Sequence, residues 1–373
     1  MKKGIQAACV IWKNLEGPKI IMDQSPAFTI VLSGYQTEPY LPRALKSICN
    51  QTFRDFEVIC YVEESTDRSL EICQELAGKD ARIKVVSAPK SGAVASTRNY
   101  AIDHAEGEYL VILDGDDWLF ENLLEKLDRK LHETGSVDVL AFAAVTTPDE
   151  DADLTKAPRL SNFRSSDADG VFTGIEALRR AGRCGGQFRS YTWLCAYRTA
   201  FLREHALYQT AGRLMEDFEW TPRVWFAAGR FAYLDDVFYV YRRRENSLTT
   251  EASSRILFDL VKQVRSLLDF AGNHRIPEDL LRIWSSQWFS TLFWFLFHPV
   301  TSRKISDRDR REALGQLFDS GGWIQMQKLS RFASRPKRAA MPLLRLAAKG
   351  FVLPAKIFFR WLYYPLIGYK EKK

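Results

Sequence analysis

The chain has 373 residues, of which 46% are hydrophobic and 27% charged, and it carries a net charge of +7 at pH 7. That balance excludes a chain too polar to build a core and leaves room for one large domain plus an appendage. Six cysteines, Cys9, Cys49, Cys60, Cys73, Cys184 and Cys195, show neither CxxC spacing nor a zinc signature, so free thiols in a reducing cytosol are expected.

Residues 1–27 hold Lys2, Lys3 and a brief apolar patch, Ala7 to Trp12, which Lys13, Asn14 and Glu16 break. The patch is too short and too poorly ended for a signal peptide, so this stretch reads as an extension with no assigned task. From Phe28 onward strand and helix patterns alternate. Phe28 to Leu32, Phe56 to Val62 and Arg82 to Val86 read as strands, and Tyr40 to Cys49, Ser69 to Ala77 and Ala93 to Ala105 as helices. Ser65, Thr66 and Asp67 precede the second helix and can cap it. A βαβ series of this kind predicts a mostly parallel sheet with right-handed crossovers.

Glu108 to Trp118, EYLVILDGDDW, is the most informative stretch. The continuous apolar run from Tyr109 to Leu113 suits a strand buried on both faces, and ligands of open α/β sheets bind just beyond the carboxyl ends of such strands. Asp114, Asp116 and Asp117 stand there. Like charges this crowded repel, and a divalent cation compensates them; an all-oxygen site favours Mg²⁺ or Mn²⁺, shared with substrate phosphates. The competing reading is a solvated acidic loop capping a helix that starts near Phe120.

Residues Thr146 to Asp169 are polar and at first acidic, which predicts an exposed loop. Met215 to Ala228 has helical character, with Glu216 and Asp217 in the first turn, where the helix dipole favours carboxylates in any case. Three consecutive arginines, Arg242 to Arg244, follow in YRRRENSLT, either as a phosphate-binding element or as a solvated basic turn. Alternation along an extended segment would set Arg242 and Arg244 on one side. Ser253 to Phe270 and Pro277 to Phe297 read as helices. The second carries Trp284, Trp288, Phe289, Phe293, Trp294 and Phe297, for which core packing is expected over an acceptor groove or membrane-facing surface.

Between Arg331 and Lys373 eleven basic residues face one acid, Glu371, and they interleave with aromatic and aliphatic side chains such as Phe351, Ile357, Phe358, Trp361 and Tyr364. Cations and aromatics on an apolar stretch describe a segment lying in an anionic membrane interface, and Lys349, Pro354, Lys356 and Arg360 interrupt it too often for a span. A helix packed on the protein's own body is the alternative. No nucleic-acid-binding module accompanies the charge, so no nucleic-acid partner is expected.

Several motifs, in order, carry a resemblance: FTIVLSGYQTEPYLPRALKSICNQTFRDFEVICYVEESTDRS, then SGAVASTRNYAIDHAEGEYLVILDGDDWL, then MEDFEW, then YRRRENSLT. Over roughly Phe28 to Thr250 the sequence resembles glycosyltransferase family 2, the inverting nucleotide-sugar transferases of the GT-A fold. The resemblance implies an α/β architecture with a mostly parallel sheet flanked by helices and a C-terminal helical appendage. Its divisions would be a catalytic domain over 28–250 (nucleotide half 28–120, acceptor half 121–250), a helical region over 251–330 and a basic aromatic tail over 331–373.

It also implies roles. Glu63 and Glu64 stand where the family has an Asp pair that holds base and ribose, and Arg98 stands where it has an arginine against the nucleotide. Ser33 and Gly34 replace the usual Pro followed by an apolar residue. Asp116 would touch the metal and Asp114 the metal or ribose, with Asp117 capping the next helix or orienting its neighbour. Asp217 would be the general base, Glu216 its support toward the acceptor, Trp220 a wall of the acceptor site, and Arg242 and Arg244 partners of the diphosphate. The implied reaction is metal-dependent transfer from a nucleotide sugar, a UDP-sugar by expectation, to a glycan or lipid-linked glycan in cell-surface polysaccharide synthesis. The protein would then be cytoplasmic and peripheral at the inner membrane face. A nucleotidyltransferase acting on a sugar phosphate, or a non-catalytic relative of the same fold, remain the alternatives.

Overall fold

The computed structural model describes residues 25–148, 151–184, 188–244, 253–298, 304–318, 330–331, 335–359 and 363. Its first half is the anticipated alternation: β1 (Phe28–Gly34), α1 (Leu41–Cys49), β2 (Phe56–Glu63), α2 (Ser69–Ala77), β3 (Ile83–Ala88), α3 (Ala95–His104) and β4 (Tyr109–Asp114). Pro42 sits in the first turn of α1, where its missing N–H costs nothing and its fixed φ favours the helix. Strands β1, β2 and β4 are buried almost throughout, which accounts for their mainly apolar sequence, and the buried Glu57 of β2 accepts from the Thr29 hydroxyl of β1.

The second half adds β5 (Trp118–Leu119), α4 (Leu123–Thr134), β6 (Val139–Thr147), β7 (Arg159–Leu160), α5 (Gly174–Arg183), β8 (Cys195–Arg198), α6 (Thr199–Glu204), α7 (Asp217–Ala227) and β9 (Phe231–Arg242). Among the described residues nine strands form one sheet, in the order β3-β2-β1-β4-β8-β6-β9-β5, with β7 on β6. From β3 to β4 the pairings are parallel. Beyond β4 the sheet is mixed, because β8 runs antiparallel to both β4 and β6 while β9 is parallel to β6. The expectation of an exposed loop over 146–169 needs correction. Its start completes β6, Arg159 and Leu160 pair with that strand, and Phe163 is buried among Phe172, Trp225, Phe231 and Tyr233.

Four described helices follow the sheet domain: α8 (Ser254–Asn273), α9 (Glu278–Phe297), α10 (Asp307–Phe318) and, in the tail, α11 (Arg335–Ala348), with a shorter α12 (Val352–Phe358) after it. Ser253 caps α8, its hydroxyl accepting from the Ile256 N–H. Of the α9 aromatics, Trp284, Trp288, Phe289, Phe293 and Phe297 are buried as expected and Trp294 is exposed. One hydrophobic core runs from β1 through α9 to Phe359 and Tyr363. None of the described helices is long and apolar enough to cross a membrane. Cys49, Cys60, Cys73, Cys184 and Cys195 are free thiols, and Cys9 lies outside the described residues.

Candidate active site

The carboxyl ends of β1, β2 and β4 converge with the start of α7 and the end of β9. Asp114 closes β4, and Gly115 lets the chain turn there: a Cβ at that position would lie 2.5 Å from the Ser33 carbonyl oxygen. Asp114 Oδ1 accepts from the Ser33 hydroxyl (3.0 Å) and from Arg98 Nη2 (3.2 Å). Asp116 Oδ2 accepts from Arg244 Nε at 2.7 Å, and the Asp116 carbonyl accepts from Arg242 Nε at 2.8 Å. The two arginines do lie on one side, both over the ring of Tyr40, with Arg242 also over Trp118. The rest of their motif, residues 245–249, lies outside the described residues.

Asp117 caps no helix. The chain after it pairs as β5 with β9, and α4 begins only at Leu123. Its buried carboxylate instead accepts from the Tyr239 hydroxyl (2.6 Å) and the Arg242 N–H (2.8 Å), tying the acidic turn to β9. Burial, with the neighbouring carboxylates adding to it, raises the Asp116 pKa and raises that of Asp117 strongly, while Arg244 opposes the effect at Asp116.

Arg98, buried on α3, donates both to Asp114 and to Glu216, so one guanidinium joins the acidic turn of β4 to the acidic pair of α7. Glu216 is buried and committed to this ion pair. Asp217 starts α7 and stays partly exposed. Burial and then the Glu216 charge push its carboxyl up to about 8, against the pull of Arg98. The residue before the pair, Met215, has a φ of 60°, a left-handed backbone that a side chain rarely adopts, and so marks a tightly determined turn. The helical region braces this turn: Asp259 of α8 accepts from the Leu214 N–H, and Arg255 donates to the carbonyl of Gly92, itself at φ 74°.

The two glutamates of the β2 loop divide. Glu63 is buried and accepts from the N–H and hydroxyl of Ser91, so it fixes the loop after β3. Glu64 is exposed at the end of β2. Ser65 and Asp67 tie the β2 loop to the β1 loop through Gln36 and Glu38, and Asp67 also accepts from the Ser69 N–H at the start of α2.

Trp220 does not wall an acceptor site. It is 1% exposed, its indole N–H donates to the Leu207 carbonyl, and its ring meets Tyr197 edge-on. Its place on α7 turns it inward, while the aromatic surface beside Asp217 comes from elsewhere. Tyr191 stacks on Trp193 (4.8 Å between ring centres), Trp193 on Tyr239 (4.4 Å), and Tyr241 lies alongside. Burial and the Asp217 charge raise the Tyr191 pKa. Sequence reasoning missed this ladder. Its available signal was the spacing of two in Tyr239/Tyr241, which sets that pair on one side of strand β9.

Among the described residues no three His, Cys, Asp or Glu side chains cluster into a metal cage. A cation shared with a diphosphate needs only one or two carboxylates. Asp114 and Asp116 fit that need: both hydrogen bonds to Asp114 fall on Oδ1, and Asp116 is an acid whose proton affinity is raised by burial and then by the Asp114 charge.

A family model described as Glycosyl transferase family 2 matches residues 29–193. Residues 29–193 thus form a glycosyl transferase family 2 domain. It is 30% identical over 228 residues to the uncharacterized glycosyltransferase EpsJ of Bacillus subtilis, across 60% of this chain and 63% of that one. It is 37% identical over 123 residues to the minor teichoic acid biosynthesis protein GgaB of the same organism, across 31% of this chain and 14% of GgaB. The chain thus spans less than two thirds of either relative. A crystal structure of residues 1–349 of S. aureus TarS in complex with UDP-GlcNAc shares the fold, with a TM-score of 0.69 at 20% identity over 89% of this chain and 91% of that one. The likeness places the family 2 domain in the GT-A fold, and its extent takes in helices beyond the sheet.

Proposed function

We propose that the protein is an inverting glycosyltransferase that moves a sugar from a UDP-sugar to a hydroxyl of a glycan or lipid-linked glycan in cell-surface polysaccharide synthesis, working from the cytoplasmic side. The observation that carries this reading is the arginine bridge. Arg98 links Asp114, at the donor end of β4, to Glu216, which stands beside Asp217, a partly exposed carboxyl with raised proton affinity.

On this reading Glu64 meets the ribose and base, and Glu63 acts at one remove by holding the Ser91 loop. Asp114 and Asp116 would hold a Mn²⁺ or Mg²⁺ ion, which when bound offsets the charge growing on the departing diphosphate. Arg242 and Arg244 lie beside Asp116 and supply permanent positive charge for the phosphate oxygens. Asp217 takes the proton of the acceptor hydroxyl as its oxygen bonds to the anomeric carbon. The bond from that carbon to the diphosphate breaks on the opposite face, and the leaving group departs with the electron pair, so the configuration inverts. A raised pKa suits that step, because a base accepts a proton best when its pKa is near the working pH. Tyr191 offers the acceptor ring a stacking surface in place of Trp220. The UDP-GlcNAc held by TarS and the likeness to GgaB support the sugar-nucleotide and surface-glycan parts of the reading.

The test is release of nucleoside diphosphate from a panel of nucleotide sugars, with Mn²⁺, Mg²⁺ or EDTA and a membrane lipid extract as acceptor source. Metal-dependent release from one donor, lost in Asp116→Asn, is expected. Pyrophosphate formed from a sugar phosphate and a nucleoside triphosphate would contradict the proposal.

A further inference from the structure

The tail resolves two readings of its sequence into two faces of one helical hairpin. Inward, Ala340, Met341, Leu344 and Ala347 of α11 and Val352, Ala355 and Phe359 at α12 are buried, and Phe359 packs on Phe293 and Phe297 of α9 with ring centres 4.7 and 4.5 Å apart. That face alone satisfies the packing need of a surface helix. The outward face is nonetheless apolar. Leu346 is 41% exposed, Phe351 63%, Leu353 66% and Ile357 52%, the largest exposures of big hydrophobic side chains among the described residues.

The turn between the helices concentrates them. Gly350, at φ 102°, donates to the Ala347 carbonyl, and the Phe351 N–H donates to the Leu346 carbonyl. This is the helix-ending motif that brings the side chains at those two outer positions, here Leu346 and Phe351, next to each other. Leu353 and Ile357, four apart on α12, share a face. Arg338 and Lys349 are exposed on the same hairpin, and the sequence has no acid from Arg331 to Lys370.

Exposed apolar side chains beside Arg338 and Lys349, with the neighbouring Asp307 of α10 taken up by Lys356 and Arg310, match an anionic lipid surface, whose headgroups take the charge and whose acyl boundary takes the rings and aliphatic chains. We propose that the α11–α12 hairpin docks the protein on an anionic bilayer, with Leu346, Phe351, Leu353 and Ile357 inserted and Arg338 and Lys349 at the headgroups. The hairpin would then hold the catalytic domain at the membrane, with no spanning helix among the described residues. The inference rests on the tail alone and holds whichever sugar is transferred.

The test is co-sedimentation of the full chain with phosphatidylcholine vesicles, with and without phosphatidylglycerol, at low and high salt. Binding that requires phosphatidylglycerol and weakens with salt is expected. The exposed-position double variant Leu353→Ser/Ile357→Ser, checked by circular dichroism for an intact fold, should lose binding at least about tenfold, since each inserted side chain removes apolar area from water. Lys349→Gln should weaken binding about fivefold, the factor that corresponds to about 1 kcal/mol for one cation at such a surface. Vesicle binding that ignores both variants would overturn the proposal. So would a native protein that ignores vesicles but forms a dimer which the double variant dissociates, since a second copy would then cover the face.

Discussion

Two groups of carboxylates meet at Arg98, and they are wired differently. In the turn after β4, three acids stand together and each is engaged separately, Asp114 by Ser33 and Arg98, Asp116 by Arg244, and Asp117 by Tyr239 and the Arg242 N–H. At the start of α7 the arginine goes to Glu216, and Asp217 is left with burial and a like charge beside it. The first group crowds three acids into one turn, one of its arginines being shared with Glu216, and therefore suits a cation shared with phosphate. The second has one acid neutralised and one whose proton affinity rises, and therefore suits proton transfer. The same residue type serves two ends because its neighbours differ.

The contrast can be broken most forcefully at Asp217. Asp217→Asn should lower kcat by about 10²–10⁴-fold, the usual weight of a general base, while calorimetric titration with nucleoside diphosphate gives unchanged affinity. Weakened nucleotide binding with turnover retained would merge the two groups into one. Asp116→Asn should cost on the order of 10²-fold in turnover and, unlike Asp217→Asn, should weaken Mn²⁺ binding in the presence of nucleoside diphosphate. Equal metal binding by this variant and the native protein would contradict the assignment of the first group.

Arg98 sharpens the comparison because it belongs to both sides. Arg98→Gln strips a buried acid pair of its cation and should lower stability by about 3–5 kcal/mol in denaturant titration. In the folded fraction the Asp217 carboxyl loses the charge that held its pKa down, so the rising limb of the pH–rate profile should move to higher pH, and Arg98→Lys should move it back part of the way. The smallest effect belongs to the aromatic ladder. Tyr191→Ala should raise the acceptor KM about three- to tenfold, as expected for one stacking contact, with donor KM unchanged and Tyr191→Phe near native.

The acidic turn after β4 was legible in the sequence because its residues are local. Strand β4 and its acids occupy consecutive positions, and the βαβ pattern fixes where a strand's carboxyl end must lie. The base side depends on tertiary placement. Glu216 and Asp217 could be located on the first turn of a helix, but the sequence could not show that Arg98, 118 residues earlier than Glu216, would take one and leave the other. Of the two readings of Asp117, capping the next helix failed because its partners, Tyr239 and Arg242, come from β9, 122 and 125 residues away. Trp220 was misassigned for a related reason: a helix position says nothing of which side faces a neighbour until α7 is packed. The tail's composition gave both of its readings, and only the hairpin shows that they describe opposite faces.

The most direct test of the account is the pH dependence of kcat/KM for transfer, measured from about pH 5 to about pH 9 on the native protein and on any residual activity of Asp217→Asn. Asp217 accepts a proton only when ionised, and a raised pKa delays ionisation to higher pH, so the native rate should climb with pH through a limb far above the ordinary carboxylate value of about 4. That limb should vanish in Asp217→Asn. A native profile already flat at the acid end, or a limb that survives the substitution unchanged, would mean that Asp217 does not take the acceptor's proton.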